Sequence, residues 1–354
     1  MLHRRWGMTQ IRAMIYRDDE QARCRGGELT MRKAALTVMT AVAVGMLAVP
    51  QVSAQDAYPS RVVRIVVPAV PGSTTDILAR LIADQLNQAW GKPVVVENMP
   101  GGAMNIGAEH VARAAPDGYT LLLAPPSPLA FSHLLYRNLN YDPAKWVTIA
   151  ALVKVPNVLV VRKEHPSSSI RELVAYAKAN PGKVNYASQG VGSTAHLSAS
   201  QLELAAGIKM VHVPYRGAQP ALTDVMAGHV DMFFDTIVTS LPLHRGGKIK
   251  ILAIASPKRF AATPEFPTIA ELGFPGFRSI TWFGLVAPPA TPTTLAEKIN
   301  RDVVTIFKKA DVGARLSNLM LEPIGGTPAD GAKFIADEAA LWSMVIKENN
   351  IPMR

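Results

Sequence analysis

From position 62 onward, short β-branched runs alternate with amphipathic helical stretches. That alternation restricts the chain to βαβ units built around mostly parallel sheet. Val62-Val63-Arg64-Ile65-Val66-Val67 has the length and composition of a buried strand. A turn at 68–73 follows, and Ile77, Leu78, Leu81, Ile82, Leu86 and Ala89 then fall at helical spacing up to Gly91. Strands are predicted at 93–97 and 119–124, with a Gly-rich loop and a short helix from about Asn105 between them. A long apolar stretch at 147–161, interrupted at Pro156, ends this first block.

The same rhythm then resumes. Ser169 and Glu172 form a capping box for a helix that stops before Asn180-Pro181-Gly182. Strands are predicted at 184–188, 209–213, 230–234 and 248–255. One helix runs from the loop at 189–193 to about Gly207, and another is opened by Pro220 and closed by Gly228. A proline-dense passage at 256–277 leads to a strand at 280–287 and helices at about 293–310 and 327–349. Two blocks of this kind imply two lobes joined by extended crossings. The first lobe takes residues 55–154 and 281–354, and the second takes 155–280. A cleft between such lobes, at the carboxyl ends of the strands, is where open α/β sheets hold a ligand.

The formal charge of +10 raises nucleic acid and membrane as partners, so its location matters. Residues 1–54 carry eight cations and four anions, a net +4, which leaves +6 for the rest. Met31-Arg32-Lys33 precedes an apolar run at 34–49, and Val52-Ser53-Ala54 supplies the small residues of a signal-peptidase site. This reads as an export signal at 31–54, cleaved after Ala54, with 1–30 an upstream extension from a misplaced start. An uncleaved anchor is the competing reading, although the run is short for a membrane span. Cys24 has no lipid-attachment pattern before it, and the mature chain has no cysteine, so disulfides and thiolate zinc sites are excluded. In the mature chain the basic residues are interleaved with acidic ones, without an aromatic–basic array, so nucleic acid is not an expected partner.

Two loops stand out for binding. Gly72, Ser73, Thr74 and Asp76 lie where a strand passes into a helix, and Ser188, Gly192, Ser193 and Thr194 repeat the arrangement in the second block. Helix starts carry unpaired N–H groups and partial positive charge, so two that face each other suit a small anion. The same residues serve equally as ordinary helix caps, and both readings stay open. Asp235 ends a strand, either facing the cleft or capping the next helix, and Arg216 is placed either to pair a carboxylate or to sit in solvent. No Walker lysine, Gly-x-Gly-x-x-Gly, Gly-x-Ser-x-Gly or His-Glu-x-x-His is present, and the histidines lack metal spacing. Ser193 and His196 are spaced for one helical turn, the nearest approach to a nucleophile–base pair. No catalytic residue, cofactor or metal is expected.

Several segments together resemble the substrate-binding receptors of tripartite tricarboxylate transporters, the Bug family. They are Tyr58-Pro59, Ile65-Val66-Val67-Pro68 with Pro71-Gly72 and Thr75-Asp76-Ile77, and Gly91-Lys92-Pro93-Val94-Val95-Val96-Glu97-Asn98. Asn105-Ile106-Gly107 and Ala115-Pro116-Asp117-Gly118-Tyr119-Thr120-Leu121 follow. Val155-Pro156-Asn157-Val158, Asn185-Tyr186-Ala187-Ser188, Val211-His212-Val213-Pro214-Tyr215, Pro220-Ala221-Leu222-Thr223-Asp224 and Trp282-Phe283-Gly284-Leu285 continue the series. The likeness runs from about Tyr58 to the end.

The resemblance implies an α/β fold of the type II periplasmic binding protein kind, two-lobed, each lobe a mostly parallel sheet flanked by helices. It implies a periplasmic monomer that closes around a small organic acid and delivers it to membrane permease subunits. It also implies ligand contacts from 71–76 and 188–194, and it matches Asp235 to an acidic position near the cleft. Two departures bear on the ligand. The first loop reads Pro68-Ala69-Val70-Pro71-Gly72-Ser73, without the usual aromatic and second glycine. After the third strand stands Ala124-Pro125-Pro126-Ser127-Pro128, where prolines remove backbone donors and Ser127 is the expected contact. Presentation of ligand to a sensor histidine kinase is the alternative role, and a hydrolase or isomerase on a similar fold is the weaker rival.

Overall fold

The structure is a computed structural model that describes residues 58–260, 262–348 and 350–353. The expected extension, signal peptide, cleavage point and Cys24 lie outside the described residues. Residues Pro59–Arg354 pack as one compact unit.

Parallel strands form the centre of each half. Strand β1 (Val63–Val67) lies between β2 (Val94–Asn98) and β3 (Thr120–Ala124), and both pairings are parallel. In the second half β5 (Asn185–Ser188) lies between β6 (Val211–Pro214) and β7 (Met232–Thr236), again in parallel. Two antiparallel strands connect the halves. Strand β4 (Val147–Arg162) pairs with β9 (Ile280–Ala287) along 147–156, then changes partners to β7 and to β8 (Ile249–Ile254). The sheet therefore runs β2-β1-β3-β9-β4-β7-β5-β6, with β8 and the short β10 (Glu322–Pro323) also on β4.

The expected interruption at Pro156 is absent, and β4 is continuous. Pro156 is the last residue in register with β9, opposite Ile280, so its missing N–H falls where the strand changes neighbours. Asn157 takes over at that point. Its N–H donates to the Ser279 carbonyl, its amide nitrogen to Ser279 Oγ at 2.7 Å, and its Oδ1 accepts from Thr281 Oγ1 at 3.0 Å. These bonds satisfy the buried polar groups at the crossing itself.

Helices α1 (Thr74–Trp90), α2 (Asn105–Ala112) and α3 (Ile170–Ala179) match the expected periodicities. So do α4 (Thr194–Ala206) and α5 (Ala218–Ala227). Helix α6 (Ile237–Arg245) is the helix expected after Asp235, and it continues through Pro242. The helix expected at about 293–310 stops early, as α7 (Thr293–Phe307), and α8 (Ala310–Asn318) follows. The buried stripe explains the break. Continuing from Ile306 at helical spacing would bring Ala310 and Gly313 inward, whereas the buried residues are Val312 and Leu316.

Helix α9 (Pro328–Glu348) seals the first half against the crossing strands. Trp342 and Ile346 join Leu122, Phe131, Trp282 and Val286 in one buried cluster that also takes Leu197 of α4. Gly331 permits the approach, since a Cβ there would lie 2.9 Å from the Ala151 nitrogen. Among the described residues no helix is long and apolar enough to cross a membrane.

Candidate functional site

The carboxyl ends of β1, β3, β5 and β7 meet around a cavity of about 100 Å³. The first half contributes Ser73, Thr74 and Thr75 at the start of α1, the loop from Gly101 to Met104, and Pro125. The second half contributes Gln189, Thr194, the segment from Tyr215 to Ala218, and Asp235 with Thr236. Thr281 and Phe283 of the crossing strand complete the wall.

Helix starts dominate this lining. Ser73 caps α1 by accepting from the Asp76 N–H, which leaves the N–H groups of Thr74 and Thr75 without that acceptor. Helix α5 begins after Gly217, which has no side chain to cap it. N–H groups without an acceptor among the described residues at both starts, and the associated partial positive charge, favour an anion in the cavity. Arg216 adds a full positive charge at the rim, exposed and without an ion-pair partner among the described residues.

The two halves touch across this cavity. Thr74 Oγ1 and Thr236 Oγ1 are 2.7 Å apart, and Gln219 Nε2 donates to the Gly72 carbonyl at 2.9 Å. Tyr136 Oη donates to the Val191 carbonyl at 2.7 Å. Thr194 Oγ1 lies 3.0 Å from Thr281 Oγ1, which links α4 to the crossing network of Asn157.

Of the expected contacts, Ser73, Thr74, Thr194 and Asp235 line the cavity. Gly72, Asp76, Ser127, Ser188, Gly192 and Ser193 are not in its wall, and their bonds show why. Asp76 is buried in the first turn of α1, where its carboxylate accepts from the Gly72 N–H, Arg80 and the Asn98 amide. Burial raises its pKa, but the Arg80, Gly72 and Asn98 bonds outweigh that and hold it below the usual carboxylate value. Gly72 places its carbonyl, through Gln219, in the cross-cleft contact. Ser127 Oγ turns to Ser132 Oγ at 3.1 Å, within a single wide turn at Ser127–Phe131. Ser188 Oγ pairs with His212 Nε2 at 2.6 Å.

Ser193 Oγ donates to the Gly190 carbonyl and caps α4 by accepting from the His196 N–H. The His196 Nδ1 atom accepts from the Gly192 N–H at 3.1 Å, so ring and hydroxyl both serve the backbone and form no nucleophile–base pair. His196 instead stacks on His212, centroids 4.2 Å apart. Among the described residues no group of metal-ligating side chains comes together.

Gly217 and Ala218 were missed by sequence reasoning. Their signal was a glycine between a strand and a helix with no capping residue, in a segment noted only for Arg216. Gln189 was read as part of the loop and not as a contact. The loop at 101–104 was read as Gly-rich, and Ala103 and Met104 there both take positive φ to present the backbone.

Asp235 is the distinctive group. It is 1 % exposed. Its Oδ2 accepts from the Thr239 hydroxyl and from Ser240 Oγ at 2.8 Å. Burial pushes its pKa up to about 6, against the lowering effect of those hydroxyls and of the Thr236 backbone N–H.

Comparison with known proteins gives a consistent outcome. A family model described as "Tripartite tricarboxylate transporter family receptor" matches residues 78–351. BugT of Bordetella pertussis is 35% identical over 301 residues, which cover 84% of this chain and 92% of BugT. The structure of R. palustris Rpa4515 with adipate superposes with a TM-score of 0.82 at 36% identity, covering 84% of this chain and 100% of that one. MatC of Rhodopseudomonas palustris, with bound malate, gives a TM-score of 0.78 at 33% identity, covering 82% and 100%.

Proposed function

This chain belongs to the family of tripartite tricarboxylate transporter receptors, and we propose that it closes around one small carboxylate and delivers it to a membrane permease pair. The family consists of two-lobed periplasmic solute-binding receptors of the Bug type, and these are binding proteins, not enzymes. Its lobes are residues 55–154 with 281–354, and residues 155–280, hinged where β4 and β9 cross. Export with cleavage after Ala54 puts the mature protein in the periplasm.

One observation carries the ligand class. Helix starts from opposite halves, α1 at Thr74 and Thr75 and α5 at Gly217 and Ala218, line a single cavity, with Arg216 at its rim. Each offers N–H groups to an anion, and only a ligand between them engages both. Such a ligand stabilises the arrangement in which the halves touch, which is a population shift toward the closed state. Relatives with adipate and malate bound support the same class. Of the expected contacts, Ser73, Thr74, Thr194 and Asp235 are proposed to meet the ligand directly, and the others to hold the loops.

The test is a thermal-shift panel of mono-, di- and tricarboxylates, amino acids and aromatic acids. A ligand at a hundredfold excess over its Kd adds about 2.7 kcal/mol, a rise of about 4 °C for a unit of this size. No shift across the whole panel would overturn the reading.

A further inference from the structure

Two buried acceptors in the wall of the cavity have no donor. Among the described residues, Asp235 Oδ1 and Gln189 Oε1 are each without a hydrogen-bond partner, and both residues line the same cavity. Their surroundings explain why neither is satisfied from within. The hydroxyls beside Asp235 are on Oδ2, and Thr74 and Thr194 are engaged with Thr236 and Thr281. A buried acceptor left unpaired is unfavourable, and more so when it can carry charge.

From this pairing we propose that the ligand carries a hydrogen-bond donor beside its carboxylate, a hydroxyl or ammonium group, which Asp235 and Gln189 accept. The receptor is thus selective for hydroxy- and amino-carboxylates over unsubstituted acids of the same length. The inference rests on the carboxylate reading above. The helix starts and Arg216 take the carboxylate, and the two acceptors take the donor. An unsubstituted dicarboxylate brings only acceptors to that wall, setting oxygen against oxygen and leaving both protein atoms unpaired. A site built to bond a substrate hydroxyl or amine rejects the analogue that lacks it, because its own polar atoms are then stranded. Burial of Asp235 raises its pKa, as expected for a carboxyl group enclosed in this wall.

Calorimetry with matched acids tests this. Succinate, malate and aspartate share one carbon skeleton, as do glutarate, 2-hydroxyglutarate and glutamate. In wild-type protein the better substituted acid of at least one series binds at least tenfold tighter than its unsubstituted parent. Asp235→Asn brings that ratio close to one, and Gln189→Leu reduces it. Because Gln189 belongs to a loop and not to the sheet, the second variant remains informative if the first fails to fold. Equal binding of substituted and unsubstituted acids by wild-type protein, as when a water satisfies the two acceptors, overturns the inference while leaving the carboxylate reading intact. No binding by any acid of the two series, if other carboxylates bind, also overturns it. No binding by any carboxylate at all removes the reading beneath it.

Discussion

Gly217→Val lowers ligand affinity by ten- to a hundredfold and leaves the melting temperature of the empty receptor close to that of the wild type. The backbone at Gly217 is extended, φ 160° and ψ 178°, a conformation any residue adopts, so the substitution brings no local strain. Its effect lies across the cleft. A Cβ at this position would stand 2.7 Å from Val70 Cγ2 and 3.1 Å from Cγ1. Val70 belongs to the loop after β1, so this approach exists only while the halves are together. Valine adds two further carbons, and both side chains are stiff at χ1, so neither can swing aside. Overpacking of this kind costs about 1–3 kcal/mol. On the proposed closure of two lobes that penalty falls on the closed state alone, and each 1.4 kcal/mol is about tenfold in affinity. Calorimetry and thermal melting of the variant check both halves of the expectation. Unchanged affinity would show that the contact between Val70 and Gly217 is no part of the ligand-bound arrangement.

Asp235→Asn raises the stability of the empty receptor at pH 7.5, and the gain disappears toward pH 4. Asparagine keeps the shape and one acceptor for the hydroxyls of Thr239 and Ser240. The sign follows from the two states of the aspartate. Its pKa is about 6 when folded, against an ordinary value near 3.9 in the unfolded chain. Below pH 4 both states are protonated and the residue is neutral toward folding. Between pH 4 and 6 the unfolded chain loses its proton first, and the fold is penalised increasingly. Above pH 6 the penalty is complete, about 3 kcal/mol as an upper bound. Thermal melts of both proteins across this range measure it. A variant no more stable than wild type at pH 7.5, or a gain that persists unchanged at pH 4, contradicts the assignment. A residue that weakens the empty protein at neutral pH is consistent with a role in binding and not in folding.

Most of the architecture was legible because it rests on local pattern. The run at 62–67 became β1 (Val63–Val67), since β-branched residues bounded by a proline turn leave few alternatives. The strand at 280–287 appeared as expected. Non-local events were not legible. Pro156 reads as a break until its strand is seen changing partners from β9 to β7 and β8.

The site was readable to the extent that a loop between strand and helix was enough to find it. Whether a serine caps its helix or meets a ligand depends on where its hydroxyl turns, and both uses need the same residue in the same place. Ser193 and Ser188 are committed to the Gly190 carbonyl and to His212. In the second half the cavity wall takes the start of α5 beside that of α4, and α5 begins at a glycine that offers no side chain to notice.

On the proposed reading, opposed helix starts hold a carboxylate. Calorimetry of the wild-type receptor tests it most directly, using the acid with the largest thermal shift beside its amide, which has the same length but no charge. The acid binds one-to-one, and the amide binds at least a hundredfold more weakly. Amide binding as tight as that of the acid, or no heat from any carboxylate, contradicts it.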